Sequence, residues 1–462
     1  MKNLSAYLEE KKKPKKEEKY RVVVISTEKG EDSITAKRIK EESDKLGYPV
    51  YVTKMNGTYT KVEDNIRTIH REEDDKGFEI HTDDTVVFVR GTPERDSWLD
   101  LISQLEKAGY CVVNSRDCME LASDKYRTYL RLQDFGLTQP KTVLIPNENG
   151  IENSFNSLDT KFPIVMKTLR GSKGVGVLFI ESERGLKSLV QLLFKQDKYA
   201  DILIQEYKKT DFDVRVLVLD GTIIATMKRD VLEGDFRSNY SQGAKVTTYD
   251  LTNLEIEQCL LAAKAVGGLF TAVDFIPSEK PKNDPPHILE VNSSPGTEGI
   301  EEANNKNIVN ELLTHFNNPE LRYTSPIECG WEEVVDIKPF GKLTAKFDTG
   351  NYKYPVLHAE DVKVNGNTIT FRHKDKTIKT KLVGEYTSVT GAGEDDRHIV
   401  ELDLIFSGTV YEKILFGLDN RDRLGTDVLL NRKTMKKLNV IINPQRKYLI
   451  TTKFAVKKSI KK

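Results

Sequence analysis

At 462 residues, of which 38% are hydrophobic and 31% charged, the chain has room for about three domains and is too apolar for wholesale disorder. Lysine plus arginine (71) cancels aspartate plus glutamate (71), which excludes the strongly basic footprint of a protein that lives on a nucleic-acid backbone. No apolar run approaches the roughly 20 residues that cross a bilayer, and the Lys/Glu-rich segment Met1–Tyr20 is no secretory signal. Cys111, Cys118, Cys259 and Cys329 lie far apart and read as reduced thiols of a cytoplasmic protein.

Residues 1–19 include the charge run Lys11–Lys19, with one proline and nothing to bury, and read as a solvated, disordered tail. Order begins at the β-branched strand Arg21-Val-Val-Val-Ile-Ser. Ser33 to Gly47 reads as a helix, with Ser33 placed to cap it and Gly47 to stop it. A second strand, Thr85–Arg90, leads to a helix from Asp96 to Ala108 on which Trp98, Leu101, Ile102 and Leu105 recur at helical spacing. This alternation predicts an α/β domain over residues 20–122.

The texture changes from Ser123. A helix from Asp124 to Phe135 precedes strand Pro163–Lys167, the glycine-rich stretch Gly171-Ser-Lys-Gly-Val-Gly176 and strand Val177–Ile180. Strand Ile202–Glu206 follows, then a hairpin from Val214 to Thr226 that turns at Asp220-Gly221. Beyond Pro326 short alternating strands replace the helical texture, predicting an all-β domain over residues 325–455. The domain boundary is expected at about residues 318–330.

The glycine-rich stretch sits between two strands, so it is neither a Rossmann fingerprint nor a P-loop, both of which need a helix N-terminus. Glycines on a hairpin let backbone N–H groups close over phosphates, and Lys173 adds a positive charge. A flexible turn explains the same residues. Glu290 and Asn292 are two apart on the strand His287–Asn292 and therefore share a face. Asp274 lies on the preceding strand, which is expected to pair with it as a hairpin. Two carboxylates and an amide oxygen on one sheet face make a hard oxygen site suited to Mg²⁺ bridging nucleotide phosphates. The alternative is the polar face of an amphipathic strand.

Asp124-Lys125, Val165-Met-Lys167, the glycine hairpin, Ile204-Gln-Glu-Tyr207, Asp213-Val-Arg215, Glu233-Gly-Asp-Phe-Arg-Ser-Asn239, Val273-Asp274 and Leu289-Glu-Val-Asn-Ser-Ser-Pro-Gly296 stand in the order found in ATP-grasp ligases. They most resemble the RimK branch, the ribosomal-protein glutamate ligases, over roughly residues 20–317. The resemblance implies an α/β N-domain followed by an α+β ATP-grasp domain at 123–317. It implies ATP as co-substrate and two Mg²⁺, with Mn²⁺ as a substitute, ligated by Asp274, Glu290 and Asn292. Lys125, Lys167, Gly171, Gly174 and Gly176 would hold the nucleotide phosphates. Glu206 and Tyr207 would line the adenine pocket, and Asp213 would sit by the ribose. Arg215 would lie near the transferring phosphoryl group, with Arg237, Ser238 and Asn239 on the phosphate and substrate side.

The implied reaction is amide formation. ATP phosphorylates a carboxylate to an acyl phosphate, an amine attacks it, and the enzyme contributes positioning and charge neutralisation. Arg237 suits developing oxyanion charge, because a planar guanidinium matches carboxylate and phosphate edges. Arg90, at the end of an N-domain strand, either holds an acidic substrate or is a surface arginine.

Leu343-Thr-Ala-Lys-Phe-Asp348-Thr-Gly350 is an apolar strand running into the active-site sequence of aspartic proteases. With Asp427-Val-Leu-Leu-Asn-Arg and Leu438-Asn-Val-Ile-Ile-Asn, it resembles the small retropepsin-like family labelled ATP-dependent zinc proteases. The seven histidines and four cysteines show no zinc-ligand spacing. One Asp-Thr-Gly supplies one of the two carboxylates that must share a proton, so Asp348 would act as the water-activating base only in a symmetric dimer. Asn351 and the tyrosines at 352 and 354 depart from that pattern, and a degenerate substrate-gripping domain is the alternative.

Together these readings predict a carboxylate–amine ligase that adds glutamate, or another acidic amino acid, to a protein or peptide carboxyl, a ribosomal protein tail among the candidates. The fused domain would trim or recognise the same tail. The rivals are a small-molecule ligase, a factor that only binds nucleotide, and an ATP-regulated protease. A cytoplasmic homo-oligomer, dimer or tetramer, is expected, with no membrane and no specific nucleic-acid partner.

Overall fold

The computed structural model describes residues 19–27, 33–63, 66–72, 76–168, 177–232, 245–324, 326–390, 393–422 and 425–452. Of the expected tail, Lys19 alone is described. The chain divides into two compact units after Thr324, within the expected boundary.

In the first unit, four parallel strands in the order Val50–Lys54, Arg21–Ser26, Thr85–Arg90 and Cys111–Val113 form an open sheet. Buried on both faces, its strands read as nearly unbroken Val/Ile/Phe runs. The helix expected from Ser33 runs Ile34–Leu46; Gly47 ends it in the left-handed conformation, but the Ser33 side chain makes no capping bond. The helix Asp96–Lys107 covers the sheet through Leu99, Ile102 and Leu105. Strand Val50–Lys54 and a meander of Tyr59–Glu63, Ile66–His70 and Phe78–Ile80 escaped the sequence reading. Polar and charged residues break the apolar alternation of the meander strands.

Two antiparallel sheets follow. The first, ordered Val177–Ile180, Ile164–Thr168, Ile202–Glu206, Thr142–Ile145, buries one face against helices Ile151–Leu158 and Glu183–Gln196. Its other face presents Lys167 and Gln205. The second is ordered Val246–Thr247, Thr222–Asp230, Phe212–Leu219, Phe270–Ile276, His287–Asn292. Its face bearing Val214, Val216, Val273 and Phe275 packs on helix Asn253–Ala265. The opposite face is divided in character. Leu217, Leu219, Ala225, Met227, Phe270 and Ala272 join Val22, Val24, Val86 and Phe88 of the α/β layer in one core. Farther along the same face the residues become charged, and there the site forms. The helix expected at Asp124 runs Lys125–Asp134, with Asp124 Oδ1 accepting from the backbone N–H groups of Tyr126 and Arg127 at 2.9 Å each.

The second unit is built on a seven-stranded sheet, six strands of which close into a barrel by pairing of Glu332–Ile337 with Gly393–Phe406. It carries a three-stranded sheet (Glu360–Asn365, Thr368–His373, Lys376–Lys381) and a two-stranded one (Ile327–Gly330, Val440–Asn443). It is sheet-rich as expected, with one helix among the described residues, Arg432–Leu438. Glu333, fully buried, anchors the chain beyond the barrel: its carboxylate accepts from the backbone N–H groups of Gly330, Leu449, Ile450 and Thr451. No helix among the described residues is long and apolar enough to cross a membrane.

Candidate active site

The hairpin predicted at Asp220-Gly221 is present, and both turn residues have positive φ, +48° and +70°. Pairing of Phe212–Leu219 with Thr222–Asp230 sets Asp213 opposite Arg229, and pairing with Phe270–Ile276 sets Arg215 opposite Asp274. The hairpin predicted between the strands of Asp274 and Glu290 also forms, with those two residues as partners. The result is a charged patch across four strands on one face, with opposite charges paired at Arg229–Asp213 and Arg215–Asp274 and two carboxylates, Asp274 and Glu290, side by side.

Arg215 forks onto Asp274, Nε to Oδ1 at 2.7 Å and Nη2 to Oδ2 at 2.6 Å. Arg229 forks onto Asp213 at 2.7 and 2.8 Å and reaches Asp274 Oδ2 at 3.0 Å. Asp274, Asp213 and Arg229 are all buried. Burial alone would raise the Asp274 carboxyl, but Arg215 and Arg229 outweigh it and hold the group far below the usual carboxylate range. Burial likewise opposes charge on Arg229, and Asp274 with Asp213 keeps it a cation. Asp213, expected beside a ribose, thus has both oxygens on Arg229, and Arg215, expected near a phosphoryl group, is tied to Asp274.

Glu290 and Asn292 stand together, Asn292 Nδ2 donating to Glu290 Oε1 at 2.9 Å. Lys125 Nζ donates to Thr168 O at 3.4 Å, and Lys167 Nζ to Gln205 Oε1 at 2.7 Å. Both lysines feel Glu290. Burial pushes the Lys167 ammonium down to about 8, Glu290 pulling it up and Lys125 pushing it further down. Burial lowers Lys125 too, again against the pull of Glu290. Two lysines from separate elements therefore converge on one carboxylate, as a polyphosphate–metal site requires.

A carboxylate beside an amide is a donor set that fits Mg²⁺, whose remaining positions are filled by water and phosphate oxygens. Glu290 and Asn292 meet that requirement. Both Asp274 oxygens already accept from guanidinium groups, so in this arrangement it is their counter-ion, with its remaining lone pairs left for a metal. Glu206 ends its strand with Oε1 on Lys208 Nζ at 2.8 Å, and the Tyr207 ring meets Phe179 edge-on at 5.0 Å. Gly171, Gly174, Gly176, Arg237, Ser238 and Asn239 lie outside the described residues.

Two residues of this region were missed in the sequence. Arg229 lies on the second arm of the hairpin, where a register shift between Leu217 and Val218 brings it opposite Asp213; counting outward from the turn would have placed Lys228 there. Asn114, buried at the end of the strand Cys111–Val113, donates to Phe270 O and Ser293 O at 2.6 Å each and accepts from Leu269 N and Phe270 N. It fixes the segment after Asn292, and no local pattern announces it.

The RimK-like ATP-grasp domain family matches residues 122–316. A probable alpha-L-glutamate ligase of Psychromonas ingrahamii is 31% identical over 290 residues, covering 62% of this chain and 92% of that protein. The chain belongs to the RimK-like ATP-grasp family. A second probable alpha-L-glutamate ligase, from Chromohalobacter salexigens, is 30% identical over 284 residues, 61% of this chain and 90% of its own. Among solved structures, the ATP-grasp ligase PsnB complexed with a minimal precursor superposes with a TM-score of 0.50 at 19% identity, covering 65% of this chain and 100% of that one. D-alanyl-alanine synthetase A from Vibrio cholerae gives 0.50 at 16%, over 66% and 100%. These two establish the ATP-grasp fold. As a RimK-like ATP-grasp protein the chain is an ATP-dependent ligase, and the family match ends before the barrel begins.

The lysine geometry sets a pH dependence for this RimK-like site. Were a polyphosphate to bind against Lys167, it would return the ammonium to its charged form, and nucleotide binding is then expected to strengthen as pH falls through about 8. At pH 9 binding is expected to take up roughly nine-tenths of a proton. Calorimetry in two buffers of different ionisation enthalpy measures this, and the uptake should vanish in Lys167→Met.

In the barrel, Asp348 ends strand Gly341–Asp348, pairs in parallel with Asn431 and accepts from Gly350 N at 2.9 Å. Strand Val428–Asn431 runs directly into helix Arg432–Leu438, the order expected for a strand and helix backing such an aspartate. The departing residues are used structurally: Asn351 Nδ2 donates to Tyr354 O at 2.9 Å, and Lys433 lies over the Tyr352 ring at 4.8 Å. The fold also gathers what spacing concealed, His358 with Glu360 and Asp422. His358 Nδ1 accepts from Arg421 N at 2.9 Å, so the ring proton sits on Nε2, facing Asp422 at 3.3 Å and Glu360 at 3.5 Å. A metal on Nε2 would displace that proton and leave no neutral tautomer that accepts at Nδ1. The trio is therefore not arranged to hold a metal ion.

Proposed function

We propose that the chain joins glutamate, or another acidic amino acid, to a carboxyl group of a protein or peptide through an acyl phosphate, with the barrel trimming or gripping the same acceptor. The observation that carries this is the convergence of Lys125 and Lys167 on Glu290 beside Asn292. The two relatives named as probable alpha-L-glutamate ligases favour the amino acid, and the precursor-bound ligase of the same fold favours a peptide acceptor.

Lys125 and Lys167 would bind ATP phosphates from one side while Glu290 and Asn292 hold Mg²⁺, or Mn²⁺, on the other. One or two such ions would neutralise charge on the γ-phosphate as it leaves ADP. Arg215 and Arg229, held by Asp274 and Asp213, would present guanidinium groups of fixed orientation where the acyl phosphate forms, an arrangement that needs no reorganisation during reaction. Gly171, Gly174, Gly176, Arg237, Ser238 and Asn239 complete the phosphate and substrate side in this reading, and Glu206 with Tyr207 the adenine side. A cytoplasmic, even-numbered homo-oligomer belongs to the same reading, because one Asp348 per chain makes a protease only as a symmetric pair.

The test is phosphate release from Mg²⁺·ATP with each amino acid in turn, products read by mass spectrometry, in the Asp348→Asn background so that they survive. Release with one acidic amino acid and a lengthened acceptor is the expected result. Release with small acids and no peptide would instead favour a small-molecule ligase. Asp348→Asn should leave phosphate release within about twofold and abolish shortening of the product; continued shortening would remove Asp348 from any proteolytic role.

A further inference from the structure

The parallel sheet reverses direction at its first strand. Arg21–Ser26 is flanked by Val50–Lys54 on one side and Thr85–Arg90 on the other, and at such a switch point the carboxyl ends of the strands part into a crevice. Ser26 and Arg90 are the last residues of those two strands and are register partners, so their side chains leave the same face. That face carries Val22, Val24, Val86 and Phe88 into the core shared with Phe270, Ala272 and Ile300. The pair therefore faces the ATP-grasp domain.

Both side chains are buried, and each carries a polar atom without a partner among the described residues. Arg90 is 5% exposed and Ser26 fully buried. Arg90 Nη2 donates to Pro295 O, but Arg90 Nε and Ser26 Oγ make no hydrogen bond among the described residues. Glu298 acts on Arg90 only through its field, with no ion pair to Arg90 among the described residues. A buried cation with one neutral acceptor is costly to fold, and its cost is recovered when an anion arrives. The segment it contacts is the one that follows Asn292: Ser294 Oγ accepts from Gly91 N at 2.7 Å and Ser293 O from Asn114. The unpaired donors are thereby held a few residues from the metal–phosphate centre.

We propose that Arg90 and Ser26 form a subsite for a substrate carboxylate other than the one being activated, the guanidinium edge and the hydroxyl donating to its two oxygens. Phosphate is already matched by Lys125 and Lys167, and a planar fork suits a carboxylate. This rests on the ligase reading above. The carboxylate belongs either to the incoming acidic amino acid or to the free end of the acyl chain.

The test is equilibrium binding to the full-length chain saturated with Mg²⁺ and a non-hydrolysable ATP analogue. The probes are L-glutamate, and tetraglutamate with a free or an amidated C-terminus. Arg90→Gln is expected to weaken at least one carboxylate probe about tenfold or more, and Ser26→Ala about threefold, with nucleotide affinity unchanged. The melting temperature of Arg90→Gln should hold or rise, because an uncompensated buried charge is removed. Arg90→Lys, which keeps the charge and loses the fork, should weaken the same probe at least about threefold and serves if the glutamine variant does not fold. Loss for L-glutamate assigns the subsite to the incoming amino acid; loss only for the free-ended peptide assigns it to the acyl chain. Unchanged binding of both probes by Arg90→Gln overturns the proposal, as does a wild-type chain that binds nucleotide and neither probe. Failure of the wild-type chain to bind nucleotide overturns the ligase reading itself, and the subsite with it.

Discussion

Glu290→Gln is expected to lower the rate of Mg²⁺-dependent phosphate release by about a hundredfold to a thousandfold while leaving the fold intact. Glu290 is half-buried at a strand end, and the amide keeps its shape. What disappears is the negative charge that both lysines face. Because Glu290 holds Lys167 and Lys125 up against burial, its neutralisation lets both ammonium groups fall further. The alkaline limb of nucleotide binding, set near pH 8 by Lys167 in the wild type, should move to lower pH in the variant. A merely structural glutamate would lower the rate without that displacement, so the pH profile measured alongside the rate separates the two. A variant with wild-type turnover would remove Glu290 from the metal site.

Asp274→Asn is expected to cost about 3–5 kcal/mol of stability, because it leaves Arg215 unpaired and Arg229 with Asp213 alone in a buried setting. For a unit of about 300 residues that corresponds to a fall of roughly 5–8 °C in melting temperature. The sign of the pH dependence follows from the depressed carboxyl. Its contribution is fully present above the unfolded value, near 4, and is lost as pH falls toward the lower folded value. The difference in melting temperature between wild type and variant should stay constant from pH 8 to 5 and narrow below about pH 4. A difference that does not narrow in acid would show that Asp274 acts through packing. Ligase turnover in the variant should fall below detection even at temperatures where it is folded, since both guanidinium groups lose their fixed orientation.

Much of this architecture was legible from local chemistry. Apolar β-branched runs marked two of the four parallel strands, Arg21–Ser26 and Thr85–Arg90, Asp220-Gly221 marked the hairpin, and the two-residue spacing of Glu290 and Asn292 placed them on one face. The N-terminal meander was not legible, because its strands carry no clean alternation, and neither was Asn114, whose partners lie 155 to 179 positions away in the chain. His358, Glu360 and Asp422 likewise carry no spacing signal. The barrel brings them together when Val356–His358 pairs with Thr409–Asp419.

The sequence by itself determined the order of the layers, the turn, and the identity of the lysines and oxygen donors, because each rests on propensity or period within a few residues. The tertiary structure decided which charges meet. Counted outward from the two-residue turn, Leu219 faces Thr222 and Asp213 would face Lys228. A bulge between Leu217 and Val218 inserts Ile224 as an extra residue and brings Arg229 opposite Asp213 instead. Since side chains alternate between faces, that single step moves Arg229 onto the charged face beside Asp274, where its flat guanidinium forks onto one carboxylate and touches the next. Such a bulge is a packing outcome of the whole sheet, and no residue between the two strands declares it.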